Sequence, residues 1–400
     1  MHKQTVRDID VKDKRVLLRV DYNVPIKDGV VGDSLRIEAS FETIKYLLDQ
    51  NCSIVLMSHL GRPDGQPNAK YSLKPVAAKA TELLGHEVTF VSDCVGETAK
   101  AAVAAMTPGD IVLLENTRFY AAEEANEPAF AKQLAAWGDV FVDDAFAAIH
   151  RAHASTEGVT HFLPSVAGLL VEKEVEHILG AIEKPNRPLV AIVGGAKVSS
   201  KIETLEYLIP KVDILMLGGA MANTFYLADG KKVGKSLVEA GQVAEAHRLL
   251  ALAKSENTEL LLPSEVVVSK SLSEAKKVRT ITLDALEDDD FIVDAAPSFA
   301  GRLAPSVIEF LDFDNRCTVI WNGPIGITEV PEFCAGSLAL AGAIVALPGE
   351  ISIIGGGDTA AFIDNAGRHD QFTWVSTGGG ASLELMSGKK LPGIEALLDK

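Results

Sequence analysis

Short apolar runs alternate with longer helix-like segments along most of the chain, and this alternation limits the fold more than any other sequence feature. Continuous apolar strands separated by helices are typical of βαβ units, in which helices cover both faces of a parallel sheet. The sequence therefore predicts an α/β fold with doubly wound parallel sheets. The predicted strands are KRVLLRVD, CSIVLMSH, GDIVLLEN, GDVFVDDAF, PLVAIVGG, VDILMLGG, ELLLPSEVVV, CTVIWNG, ISIIGGG and FTWVSTGGG.

One segment interrupts this pattern and indicates a division into two domains. The stretch LLVEKEVEHILGAI has apolar residues at helical spacing, and the EKPNRP that follows it contains two prolines that end a helix. We interpret residues 170–188 as a hinge helix and linker joining two α/β domains, residues 1–170 and 171–387. One continuous sheet with a long crossover is the alternative.

Composition and charge exclude several classes of protein. The formal net charge is −17 and the pI is about 5.0, whereas nucleic acids and anionic membranes favour basic surfaces. No apolar run approaches the ~18 residues of a membrane span. The four cysteines form no CxxC pair, which predicts neither a zinc site nor a disulfide framework. We expect a cytoplasmic protein without nucleic-acid or membrane partners.

Cationic side chains follow the predicted strands of the first half. Because ligands gather at the carboxyl ends of parallel strands, these side chains are expected to converge. A cluster of arginines matches a small ligand with several negative groups, since the guanidinium fork binds carboxylate and phosphate in bidentate fashion. For each residue alone, a solvated surface charge is the alternative. The residues expected to converge are Arg36, His59, Arg62, Arg118 and Arg151.

Glycines follow the predicted strands of the second half, in GGAK (194–197), GGA (218–220), GGGDT (355–359) and GGG (378–380). Glycine at a strand-to-helix turn lets backbone N–H groups approach a phosphate. Lys197 and Lys201 are four residues apart, so we expect them to share one helix face. The pattern matches neither GxGxxG nor the P-loop, yet it predicts a nucleotide polyphosphate site.

Asp358 stands at the lip of this expected phosphate site, where a carboxylate would repel the ligand. A divalent cation between them removes the conflict, because Mg²⁺ is often held by one carboxylate and phosphate oxygens. Capping of the next helix by Asp358 or Thr359 is the alternative. An anion site in one domain and a nucleotide site in the other suit phosphoryl transfer after domain closure, which expels competing water.

Nine blocks of this sequence, in order along essentially the full chain, resemble the phosphoglycerate kinase family. They are KRVLLRVDYNVP (14–25), SHLGRP (58–63), LLENTRF (113–119), DDAFAAIHRAHAS (143–155), GGAKVSSK (194–201), GGAMANTF (218–225), WNGPIG (321–326), GGGDT (355–359) and STGGGASLELMSGKKLPG (376–393). The resemblance implies a glycolytic phosphotransferase that reversibly transfers a phosphoryl group between 1,3-bisphosphoglycerate and ADP, giving 3-phosphoglycerate and MgATP.

The resemblance also assigns roles to individual residues. It implies a phosphoglycerate-binding domain at 1–170, a nucleotide-binding domain at 171–387, and a tail of about 388–400 that packs back on the first domain. It further implies a cytoplasmic, hinge-bending monomer. The phosphoglycerate site is expected at Asp21, Asn23, Arg36, His59, Leu60, Gly61, Arg62, Arg118 and Arg151. The nucleotide site is expected at Lys201, Asn322, Glu329, Gly356, Gly357, Asp358 and Thr359, with Mg²⁺ at Asp358. The transferred group is expected to lie among Arg36, Lys197, Gly378 and Gly379.

The acceptor in the ATP-consuming direction is a carboxylate that is ionised at pH 7, so no general base is expected. His59 is expected to donate a hydrogen bond to the substrate.

The chain departs from the family pattern in FIVDAAP (291–297), where the family usually reads close to GLDIGP. Ile292 stands where the family has a nucleotide-contacting glycine, and a side chain there is expected to crowd the adenosine pocket. Ala296 replaces the glycine before proline, and Ser200 replaces a common aspartate.

Two other classes of function stay open on the residues alone. An NAD-dependent dehydrogenase is one, although no GxGxxG with an acid ~20 residues further on is present. A non-catalytic binding protein that kept the fold is the other, because a fold alone never proves activity.

Overall fold

The structure is a computed structural model, and it describes residues 1–311 and 314–400. It divides into two compact units, one of Met1–Glu176 with Lys390–Lys400 and one of His177–Lys389. The division lies at Glu176, whereas the sequence placed it at residue 170. It falls inside the helix Leu169–Glu183, which was predicted from its apolar spacing and ends before Pro185. No helix within 1–311 or 314–400 is both long and apolar enough to cross a lipid bilayer.

The first unit is built on a parallel sheet with the strand order β5-β6-β4-β1-β7-β8. Its strands, together with a small hairpin of β2 and β3, are β1 (Arg15–Arg19), β2 (Ile26–Lys27), β3 (Val30–Val31), β4 (Ser53–Met57), β5 (Val88–Val91), β6 (Ile111–Leu114), β7 (Val140–Asp143) and β8 (Ser165–Ala167). In register, Arg19 pairs with both Met57 and Asp143, so the carboxyl ends of β4, β1 and β7 share one edge.

Helices cover both faces of this sheet. Val16 and Leu18 of β1 belong to one buried apolar cluster and Leu17 to another, as expected for a strand covered on both sides. The helices are α1 (Leu35–Ala39), α2 (Phe41–Asp49), α3 (Lys74–Leu84), α4 (Gly96–Ala104), α5 (Ala121–Glu124), α6 (Pro128–Ala135), the connecting α7 (Leu169–Glu183) and, in the tail, α16 (Pro392–Glu395). Backbone bonds join the tail to this unit, among them Gln4 N to Leu398 O at 2.8 Å.

The second unit has a parallel sheet of order β11-β10-β9-β15-β16-β17 and an antiparallel sheet of order β13-β12-β14. The strands are β9 (Leu189–Val193), β10 (Ile214–Leu217), β11 (Glu259–Leu261), β12 (Glu265–Ser269), β13 (Arg279–Thr282), β14 (Phe291–Ala295), β15 (Cys317–Asn322), β16 (Glu350–Gly355) and β17 (Trp374–Val375). The helices are α8 (Ile202–Leu208), α9 (Met221–Ala228), α10 (Val243–Ser255), α11 (Pro297–Ala300), α12 (Leu303–Phe310), α13 (Ala335–Val345), α14 (Gly357–Asn365) and α15 (Gly380–Met386).

The prediction of doubly wound parallel sheets is confirmed, and two details are corrected. One continuous sheet is wrong, because β8 and β9 belong to different sheets. The single strand predicted over ELLLPSEVVV is two strands in different sheets, since Pro263 lies between them and proline cannot donate to a ladder.

Candidate active site

Direct contacts at the carboxyl edge of the first sheet join several of the predicted phosphoglycerate residues. Arg36 Nη1 donates to Asp21 Oδ2 at 2.6 Å. Asn23 Oδ1 accepts the Gly61 N–H at 2.9 Å, and the Gly61 carbonyl accepts from Arg118 Nη1 at 2.9 Å. The loops after β1, β4 and β6 are therefore tied to one another, as the sequence predicted.

His59 lies within this cationic cluster and is buried. Burial lowers its pKa well below the usual 6.5, and the positive charges of Arg19, Arg118 and Arg36 act in the same direction. His153 has its pKa lowered to about 4 by burial and by Arg118, Arg19 and Arg151. The edge of the sheet thus holds several fixed positive charges at close range, which favours a ligand with more than one negative group.

The remaining residues predicted for the phosphoglycerate site are Leu60, Arg151 and Arg62, and the hydrogen bonds described above do not include them. Leu60 is buried, and its backbone N–H and C=O both bond to the side chain of Asn116. Arg151 is exposed and donates to His150 Nε2 at 3.2 Å. Arg62 is exposed and has no hydrogen bond or ion pair with a described residue. The first two are held in position by the protein, whereas Arg62 is fixed only through its place next to Gly61.

Arg19 and His153 belong to the cluster but were missing from the predicted site. Arg19 is the last residue of β1 and is only 1% exposed. A charged residue inside an apolar run is almost never fully buried without partners, so KRVLLRVD itself contained the signal. The run was predicted only as a strand, and site residues were predicted only after it.

In the second unit, the turns after β9, β10 and β15 are packed backbone against backbone. A Cβ on Gly194 would lie 2.2 Å from the Pro324 carbonyl oxygen, a distance that no real side chain tolerates. Gly219 N–H donates to Ile325 O at 2.8 Å. These glycines are therefore required for the turns to meet, in addition to any part in phosphate binding.

Lys201, Asn322, Asp358 and Thr359 lie close together beside these turns. Lys201 Nζ donates to Asn322 Oδ1 at 2.5 Å, and Thr359 Oγ1 accepts the Gly323 N–H at 2.8 Å. Burial lowers the pKa of Lys201 to about 8, and the charge of Asp358 partly opposes that shift. The predicted nucleotide residues of three separate turns are thus brought to one place.

Helix α14 begins beside this group, and the helix-capping alternative for its acid and hydroxyl is wrong. The N-cap is Gly356 at φ 89°, with no side-chain capping bond, while Asp358 and Thr359 lie inside the first turn. Asp358 is exposed and forms no hydrogen bond with a described residue, so its carboxylate oxygens are available to a cation. Oxygen ligands of this kind fit Mg²⁺.

The acidic side chains that do cluster closely in the described part of the chain are Glu287, Asp289 and Asp290. They are ion-paired with Lys270 and Arg279. This second group of carboxylates is therefore an ion-pair network, and Asp358 stays the better match to a metal.

The expected helix face shared by Lys197 and Lys201 is wrong. Helix α8 begins only at Ile202, with Lys201 as its N-cap and Lys197 in the preceding loop. The Ser200 hydroxyl bonds to the Lys197 carbonyl at 2.8 Å, which folds this loop into a turn. Lys197 is exposed at its end of the loop.

Gly378 and Gly379 form the turn between β17 and α15. The Gly378 N–H donates to Ser376 Oγ at 3.1 Å, and Gly379 has a φ of 51° as the N-cap of α15. At least one of the two amides expected at the transferred group therefore has a partner within the protein.

A cavity of about 270 Å³ opens in the second unit next to Asp358. Its wall is mainly apolar and includes Tyr226, Leu237, Leu272, Val266, Ile292 and Ile325, with Glu329 among the polar lining residues. Ile292 does line the cavity, as the crowding hypothesis requires. Ala296 does not: it is buried, and it is the N-cap of α11.

Comparison with known proteins identifies the family. The sequence model of the family described as phosphoglycerate kinase matches residues 6–389. The chain belongs to the phosphoglycerate kinase family. It is 49% identical over 400 residues to the phosphoglycerate kinase of Pelotomaculum thermopropionicum, with 100% of each chain covered. It is 48% identical to the chloroplastic phosphoglycerate kinase of Volvox carteri, covering 100% of this chain and 87% of that one.

Solved structures agree with the sequence relatives. The phosphoglycerate kinase from Coxiella burnetii superposes with a TM-score of 0.88 at 39% identity, and that from Pyrococcus horikoshii with 0.81 at 29%. Each comparison covers 98% of both chains. As a member of this family the chain is a phosphotransferase with a carboxyl group as acceptor, acting in glycolysis. The dehydrogenase and non-catalytic alternatives are therefore wrong.

Proposed function

We propose that the chain transfers a phosphoryl group reversibly between 1,3-bisphosphoglycerate and ADP, giving 3-phosphoglycerate and MgATP, by electrostatic stabilisation after domain closure. One observation carries the proposal. Cationic side chains converge at the strand ends of the first unit, while in the second unit Asp358 lines a mainly apolar cavity and Lys201 interacts with Asp358. These are sites for a multiply charged acid and for a nucleotide.

The phosphoglycerate is proposed to bind at Arg36, Arg62, Arg118 and Arg151, with Asp21, Asn23, His59, Leu60 and Gly61 shaping the site. The 2.6 Å ion pair to Asp21 holds the Arg36 guanidinium in one orientation. The Gly61 carbonyl does the same for Arg118. Such preorganised forks bind carboxylate and phosphate with little entropy loss, because the side chains are already ordered.

The nucleotide base is proposed to occupy the apolar cavity, and its sugar to contact Glu329. The phosphates then reach Lys201, Asn322, Thr359 and the amides of Gly356 and Gly357 at the start of α14. The exposed N–H groups of a helix N-terminus favour negative charge, and α14 supplies them here. Asp358 would hold Mg²⁺ here, and the bound ion would supply positive charge that offsets the charge of the phosphates.

The transfer step is proposed to need alignment and positive potential, and no general base. A carboxylate acceptor is ionised at neutral pH, so no proton has to be removed from it. Arg36, Lys197 and the amides of Gly378 and Gly379 would surround the phosphoryl group in flight. The Gly378 N–H would exchange its 3.1 Å bond to Ser376 for a phosphoryl oxygen.

The two proposed sites belong to different units. We propose that the hinge at α7 permits domain closure and that closure excludes water as a competing acceptor. We propose a cytoplasmic location, which the acidic net charge and the burial of all four cysteines as free thiols support. The monomeric state is proposed from the family resemblance alone.

The test is ATP consumption with 3-phosphoglycerate and Mg²⁺, with the acyl phosphate trapped by a coupled dehydrogenase. Arg36→Ala and Lys201→Ala should each reduce kcat/KM by at least about a hundredfold, because each removes a charge that contacts the transferred group or its phosphates. The exposed Arg302→Ala and Lys254→Ala are matched controls and should keep full activity. Turnover that survives in both site variants would contradict the assigned sites.

A further inference from the structure

The guanidinium of Arg19 is buried and every one of its nitrogens has a partner. Nε donates to Ser155 Oγ at 2.8 Å, Nη1 donates to the Val20 carbonyl at 2.5 Å, and Nη2 lies 3.1 Å from Nδ1 of His59. The side chain is therefore held inside the protein and meets His59 from its Nδ1 side.

The contact between Arg19 and His59 fixes the position of the imidazole proton. A guanidinium has donors only, so His59 Nδ1 must accept, and an accepting Nδ1 carries no hydrogen. The proton of the neutral ring is then on Nε2. Nε2 forms no hydrogen bond with any described residue, which leaves this N–H available to a ligand.

The same contact opposes protonation of the ring. A proton on Nδ1 would point at the Nη2 hydrogens of Arg19. The charged groups that face the ring are Arg19, Arg118 and Arg36, with His153 beside them, and the side chain is 7% exposed. Burial and these like charges together keep the pKa of His59 well below 6.5.

A buried acid on the far side holds Arg19 in this orientation. The Ser155 hydroxyl donates to Glu123 Oε1 at 2.5 Å, and the Ser155 N–H donates to Glu123 Oε2 at 3.0 Å. Because the Ser155 hydroxyl proton is directed to Glu123, a lone pair of Ser155 Oγ is free to accept from Arg19 Nε. The direction of each hydrogen bond from Glu123 to His59 is thereby determined.

We propose that Arg19 is a positioning residue that acts through His59, holding the imidazole neutral, in one orientation and protonated at Nε2. His59 would then offer the substrate an N–H whose state does not change across the physiological pH range. Glu123 and Ser155 would anchor the Arg19 guanidinium. The proposal rests on the proposed contact of His59 with the phosphoglycerate, but the state of the ring can be measured without substrate.

The first experiment is a long-range ¹H–¹⁵N NMR spectrum of the ligand-free, full-length protein between pH 5.5 and 8.5. The His59 signals are assigned by their loss in His59→Gln. We expect the neutral Nε2-protonated form throughout, without titration. An Nδ1-protonated ring, or a titration near pH 6.5, would overturn the proposal whatever the activity of the enzyme.

The second experiment measures 3-phosphoglycerate binding by calorimetry in a double-mutant cycle. Arg19→Met should weaken binding on the order of tenfold, as for one lost charge-assisted hydrogen bond, and should make His59 titrate. In His59→Gln, whose amide N–H replaces Nε2–H, the same change should weaken binding by less than about threefold. Equal losses in both backgrounds would show that Arg19 acts independently of His59. Arg19→Lys keeps the charge beside Glu123 and replaces Arg19→Met if that variant does not fold.

Discussion

The lowered pKa of Lys201 predicts an alkaline limit to nucleotide use. Burial brings this pKa to about 8, from a usual 10.5. A lysine is charged below its pKa, so its attraction for phosphate is present near neutral pH and is lost as the pH rises through about 8. The limit therefore lies on the alkaline side of the profile.

The size of the effect follows from the fraction of Lys201 that is protonated in the free enzyme. With a pKa of about 8, roughly nine-tenths of the molecules carry the charge at pH 7, and roughly one-tenth at pH 9. At saturating 3-phosphoglycerate, kcat/KM for MgATP reports ionisations of the enzyme whose nucleotide site is empty, so it should fall about tenfold between these values. Bound phosphates stabilise the ammonium, so kcat should fall much less.

The assay is kcat/KM for MgATP at saturating 3-phosphoglycerate between pH 6.5 and 9.5, with excess coupling enzyme at every pH. Lys201→Arg is the matched variant, because its guanidinium keeps its charge throughout this range. Its profile should be flat above pH 7.5 even if its maximum is lower. A wild-type profile that stays flat to pH 9.5, or an equal fall in the arginine variant, would refute the assignment to Lys201.

Three further predictions concern single residues. Asp358→Asn should weaken MgADP binding about tenfold or more while metal-free ADP binds as before, because only the metal-bound form uses the carboxylate. Calorimetry with and without Mg²⁺ measures both affinities. An equal loss of affinity for MgADP and for metal-free ADP would exclude a metal role. Ile292→Gly should tighten ADP binding if the side chain crowds the cavity, and unchanged affinity in Ile292→Gly and Ile292→Ala would end that hypothesis. Gly194→Ala should lower the free energy of unfolding by roughly 2 kcal/mol or more, because its Cβ would meet the Pro324 carbonyl at 2.2 Å. The control is Gly180→Ala in α7, where nothing lies within 4 Å of the new Cβ. This variant should raise the free energy of unfolding by up to about 1 kcal/mol, and urea titrations measure both variants.

Most of the strands that the sequence located are buried on both faces, such as IVLL in β6 and LVAIV in β9. The strands that it missed are short or only partly buried. β8 has three residues, and β13 (RTIT) has none that is buried. Such strands depend on the neighbours with which they pair, so composition alone does not mark them.

Within the candidate site, the sequence determined which residue types stand at the strand ends. An arginine, a histidine or a glycine turn after an apolar run is a local property, and the parallel sheet brings those ends to one edge. That was sufficient to predict a cluster that includes Arg36, His59 and Arg118, and a phosphate site that includes Lys201 and Asp358. Asp21 was assigned only through the family resemblance.

What only the tertiary structure decided is how these groups are paired and how deeply they are buried. Contacts between segments far apart in the chain place Arg19 beside His59 and link it through Ser155 to Glu123. The lowered pKa of Lys201 likewise comes from its burial in the folded protein. Hydrogen-bond direction and desolvation are properties of the folded neighbourhood, and they set the protonation state on which the chemistry depends.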